Sequence, residues 1–156
     1  MTSRNTRPRH PVLGLPMIAV IGLALLAAPR IVLHDLDVIH EGTFVNALFV
    51  FVPPIVWIAV VLWRRVPNPF LTLLVTGLFY GVLLAVGHQL LWDAAFGDNP
   101  PKIGGNLSGL DPTAQSVILR LFATISSVFT GVIVGAITGL VAWGLGKLLP
   151  TGSRTP

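Results

Sequence analysis

Imidazoles and carboxylates bind divalent metals, carry protons and pair with arginine. In this chain they crowd into one stretch, RIVLHDLDVIHEG, from Arg30 to Gly42, with two of the four histidines and three of the six acidic residues. Three chemistries fit those residue types. In the first they are structural. As a helix ending at Gly42, the stretch places Arg30, His34, Asp37 and Glu41 on one stripe, where Arg30 pairs with Asp37 or Glu41. In the second, His34, His40 and His88 with Asp35, Asp37 or Glu41 hold a divalent metal such as zinc, iron or copper. His34 and His40 point about 120° apart on one helix, so that site needs His88 from another element. In the third, Arg30, His34, Asn46, His88, Gln89 and Arg120 line one outward-facing pocket for an anion or a lipid head group, since paired arginines favour phosphate or carboxylate.

The elements that position these groups are apolar. Of 156 residues, 53% are hydrophobic and only 10% charged, with mean hydropathy +0.82. Soluble domains carry about 25% charged residues, so this is the composition of a membrane protein. The net charge is +4. Because the basic residues flank apolar runs, the anionic lipid surface is the expected partner and nucleic acid is not. With no cysteine, disulfides, thiolate metal sites and cysteine nucleophiles are excluded.

Four runs reach the length of about 20 residues that a membrane helix needs. They cover about residues 11–33, 43–63, 70–92 and 116–149. The first is read as a retained span rather than a cleaved leader, because Pro29 directly follows Ala28. Residues 1–10 form a basic tail, 93–115 an irregular outer loop and 150–156 a second tail. Thr43 is placed to cap the second helix, and Asp111 a turn beginning at Pro112. Pro53-Pro54 predicts a bend in the second span.

With the amino terminus cytoplasmic, Arg4, Arg7, Arg9, Arg64, Arg65, Lys147 and Arg154 fall inside and all six acids fall outside. That is the positive-inside pattern. The expected fold class is therefore an all-α, integral membrane four-helix bundle with both termini cytoplasmic, in the cell membrane.

The fourth span carries a ladder of small residues every four positions, Ala123, Ser127, Gly131, Gly135 and Gly139. The third has a shorter one, Gly77, Gly81 and Ala85. Small faces let helix backbones approach closely in lipid, so these two faces are expected to meet each other or a second copy. Motifs for chemistry are scarce. There is no G-x-S-x-G, H-E-x-x-H or phosphate loop, and no acid lies in the middle of a span. The first functional reading is non-catalytic: assembly with itself or a membrane partner, without a cofactor. The second is a transporter or ligand-binding protein using the outer pocket. The third is a membrane enzyme with an outer metal site.

Overall fold

The computed structural model describes residues 12–148. Both expected tails, with Pro11 and Leu149, lie outside them. The order is α1 (Met17–Leu25), α2 (Ala28–Asp35), α3 (Phe44–Trp63), α4 (Pro69–Leu90), the short α5 (Trp92–Phe96), a 3-10 turn (Gly105–Leu107) and α6 (Pro112–Leu148). The described residues include no strand. Four helical segments, Met17–Asp35, α3, α4 and α6, are long and apolar enough to cross a membrane.

The first span differs from its expected form at both ends and in the middle. Helix begins at Met17 rather than near Pro11, because Pro16 lacks an N–H and holds Leu15 out of the helical region. The preceding turn is fastened to α4, where the Thr72 hydroxyl donates to the Leu13 carbonyl at 2.7 Å. In the middle, Pro29 cannot donate to Leu25, and Leu26 and Ala27 tighten into three-residue turns onto Leu23 and Ala24. The Leu23 carbonyl, no longer bonded by Ala27, accepts the buried Trp57 indole N–H at 2.7 Å. The break between α1 and α2 is thus bridged from α3.

At its far end the span stops at Asp35, and the helix expected to reach Gly42 does not form. Asp37 takes φ +56, with Val38 N–H on the Leu33 carbonyl at 2.9 Å and Asp37 N–H on His34 at 3.0 Å. This is a Schellman stop made without glycine. Thr43 then caps α3 by accepting from Asn46 N–H. Helix α3 continues through Pro53 and Pro54.

Helix α4 is the centre of the bundle, and its most extensive contact is with α6. A side chain on Gly77 would run into the backbone of Gly131 and Gly135, and one on Gly131 into Gly77 and Gly81. Gly139 lies against Phe70, and Ser127 against Gly81. Ala85 and Ser127 are buried. The small faces of α4 and α6 therefore meet inside one chain, so the α6 face is not open to a second copy. On its other sides α6 exposes Leu121, Ile125, Phe129, Ile133 and Ile137, an apolar surface of the kind that lipid covers.

Helix α6 starts at Pro112, not Ser116. The Asp111 carboxylate accepts from Thr113 N–H and Ala114 N–H and so caps it early. Its 37 residues give a rod of roughly 55 Å, well beyond the ~30 Å apolar thickness of a bilayer. The alternating chain direction gathers the end of α2, the start of α3, the end of α4 and the start of α6 at one end of the bundle. Arg64, Arg65 and Lys147 lie at the other.

Candidate functional site

The acidic end holds every polar group that the spacing marks, but it does not bring them into one pocket. They form three separate sets, with His40 and Asp37 paired apart on the surface. Arg30 donates from Nε to Asn46 Oδ1 at 3.1 Å, and lines a cavity of about 170 Å³ with Tyr80, Trp57 and Pro54. This corrects the expected pairing of Arg30 with Asp37 or Glu41. The helical stripe that would carry those acids ends at Asp35.

The second set joins α2 to α4. His88 Nδ1 lies 2.6 Å from Asp35 Oδ2, and the Asp35 side chain is only 6% exposed. A carboxylate accepts, so Nδ1 is the donor in this contact. Nε2 has no hydrogen-bond partner among the described residues. His34 lies on the other Asp35 oxygen at 3.6 Å, and reaches Glu41 at 3.6 Å through its second nitrogen. These are electrostatic approaches, too long for good hydrogen bonds. Close approach of the two helices makes the Asp35–His88 contact possible. A Cβ on Gly87 would stand 2.5 Å from the Ile31 side chain. Ile31 and Asp35 are one helical turn apart on α2, and Gly87 precedes His88, so seating Ile31 on Gly87 delivers Asp35 to His88.

In the third set, Gln89 and Arg120 hold each other across α4 and α6. The Gln89 amide donates to the Arg120 carbonyl at 3.0 Å and to Thr124 Oγ1 at 3.1 Å. Arg120 donates back to Gln89 Oε1 at 3.3 Å and to Asp93 at 3.1 Å. Its guanidinium also lies 4.8 Å from the Trp92 ring centroid.

Two larger cavities open beside these sets. One, of about 390 Å³, is walled by His34, Asp35, His88, Trp92, Phe96 and Phe122, among others. Ala123 and Ser127, the first two steps of the small-residue ladder, line it as well. The other, of about 300 Å³, has Asp93, Lys102 and Arg120 on its wall and shares Trp92 and Phe96 with the first.

The expected metal set does not assemble. His40 pairs at 3.0 Å with Asp37 on the exposed surface, apart from His34 and His88, which share Asp35. Among the described residues no three histidine or acidic side chains gather to hold a metal ion. The proposed six-residue pocket is likewise divided: His34 and His88 line the first cavity, Arg120 the second and Arg30 the third, while Asn46 and Gln89 serve as hydrogen-bond partners. Asp35 was one of three interchangeable acids in the sequence, and Lys102 carried no signal. The available clue to Asp35 was its place one turn after Ile31, on the face of α2 that packs inward. No family, curated protein or solved structure matches this chain.

Proposed function

We propose that this protein binds an amphipathic, lipid-like molecule in the cavity beside Asp35 and His88, as a four-span protein of the cell membrane with both termini in the cytoplasm. One observation carries the reading. A nearly buried carboxylate orients an imidazole on the wall of a mostly apolar cavity. Such cavities hold ligands by apolar contact and fix their orientation with a few polar groups. His88 Nε2 is left to hydrogen-bond a polar group of the ligand, and the aromatic walls of Trp92, Phe96 and Phe122 suit a hydrocarbon chain. The role is binding rather than bond-making. The Ser126 and Ser127 hydroxyls on the same wall both donate to the Ala123 carbonyl, so neither is held by His88 as a nucleophile. Seven of the ten lysines and arginines on one side support the orientation, which puts the cavity at the outer end.

Lipid photolabelling tests this. A phosphatidylcholine with a diazirine in its acyl chain is supplied to the protein in nanodiscs, and labelled residues are mapped by mass spectrometry. Saturable labelling of Trp92, Phe96 and Phe122, lost in a Ser126→Trp variant that fills the cavity, is the expected result. Labelling spread evenly over Ile125, Phe129 and Ile133, unaffected by that substitution, would reduce the cavity to ordinary lipid-facing surface.

A further inference from the structure

The two larger cavities are neighbours with two residues in common on their walls. Trp92 and Phe96 line each of them. The first is mostly apolar, its polar lining being His34, Asp35 and His88 with the hydroxyls of Ser126, Ser127 and Thr130. The second carries two cations, Lys102 and Arg120, against one acid, Asp93. Its lining is thus net positive.

Each cation is held in a distinct way. Arg120 is preorganised. Gln89 takes one of its terminal nitrogens, the Trp92 ring lies beneath the guanidinium, and Asp93 takes the other nitrogen at 3.1 Å. The Asp93 side chain is 95% exposed, so that pairing stands in water and yields readily to a competing anion. Lys102 is exposed and forms no ion pair among the described residues. Its loop is nonetheless built. Gln115 of α6 accepts from Ile103 N–H at 3.0 Å and donates to the Leu110 carbonyl at 2.8 Å. Pro100 and Pro101 precede Lys102 and stiffen the approach. The loop therefore carries Lys102 to a cavity wall where a guanidinium is already fixed.

We infer that the second cavity receives the anionic head group, a phosphate or carboxylate, of the same ligand whose chain occupies the first, so that the protein selects anionic over zwitterionic lipids. The inference rests on the proposed lipid site and names the charge of its occupant. A planar guanidinium and a nearby ammonium suit two oxygens of one phosphate or carboxylate. A choline head would place a fixed cation against both.

The test uses acyl-chain diazirine analogues of phosphatidylglycerol and phosphatidylcholine in matched nanodiscs, with labelling of Trp92 and Phe122 as the readout. The wild type is expected to take the anionic lipid about tenfold better, the effect of one to two charge-assisted contacts. Lys102→Gln brings that ratio toward one, and it removes no contact that holds the fold. Lys147→Gln, the same charge change at the opposite end, leaves the ratio as it was. Equal labelling by the two lipids in the wild type overturns the inference while leaving the cavity reading intact. Loss of all saturable labelling removes both. Millimolar inorganic phosphate that abolishes the preference would mark the site as one for soluble anions and overturn the lipid assignment. A preference that survives phosphate supports it.

Discussion

Asp35 and His88 lie 53 positions apart in the chain and meet at 2.6 Å, one at the last turn of α2 and the other in the last turn of α4. The contact does two things. It ties the end of the first span to the central helix, and it orients one of the two imidazoles, His34 and His88, that line the larger cavity. Both effects depend on the same geometry, so substitutions should separate them. Asp35→Ala and His88→Ala each leave a partner unsatisfied and are expected to cost about 2 kcal/mol. Asp35→Asn, whose amide oxygen still accepts from Nδ1, should cost clearly less. Thermal unfolding in detergent micelles measures this. An Asp35→Ala protein that melts with the wild type would mean that the pair is incidental.

The glycine faces of α4 and α6 lead to a second expectation. Gly135→Leu forces a side chain into Leu73 and Gly77 backbone, which α4 cannot evade without separating from α6. Overpacking of this kind costs about 1–3 kcal/mol or more. The folded monomer itself should be lost or heavily destabilised. Gly144→Ala, at a position with open space around it, should be harmless. Size-exclusion chromatography with light scattering distinguishes the alternatives: if Gly135→Leu leaves a stable monomer and only dissolves an oligomer, the face serves assembly between chains.

Trp57 is the bridge across the break between α1 and α2. Trp57→Phe keeps an aromatic ring against Tyr80, now 5.9 Å away between centroids, but removes the donor to Leu23. Hydrogen bonds between membrane helices average about 0.6 kcal/mol, so the loss should be small but measurable, near 1 kcal/mol because the carbonyl is left without its indole partner. Hydrogen exchange is the sharper readout. Amides from Leu25 to Ile31 should exchange faster in the variant, and unchanged protection would show that the proline break supports itself.

Orientation can be read directly, because the chain has no cysteine of its own. Ser108→Cys, in the loop before α6, should react with a membrane-impermeant maleimide on intact cells. Asn68→Ser combined with Pro67→Cys, between α3 and α4, should react only after the membrane is opened, the serine preserving a capping side chain. The reverse labelling pattern would invert the proposed topology and move both cavities to the cytoplasmic side.

Much of the fold was legible in the chain itself. The apolar runs mark four membrane-length segments because lipid demands about 20 apolar residues per crossing. Thr43 and Asp111 mark helix starts because their side chains can accept the unpaired N–H groups there. The stops were harder to read. Asp37 and Arg65 both take positive φ, +56 and +49, where glycine is the usual signal, so sequence inspection extended the first helix past its end. That error carried Asp37 and Glu41 onto a stripe with Arg30 that does not exist.

The sequence by itself determined the number of this protein's long apolar helices, each of membrane-crossing length, and the small faces on which two of them pack, since these depend on local composition and period. The tertiary structure decided the partners. Histidine, arginine and acid residues at one depth can combine in many ways, and spacing along a helix says only which face each occupies. Where Ile31 seats on Gly87, Asp35 goes to His88. Where α4 and α6 close on their glycines, Gln89 reaches Arg120, and the arginines are held in separate sets. The physical reason is that side-chain contacts between helices are fixed by how closely and in what register the backbones pack, and that is a property of the whole bundle.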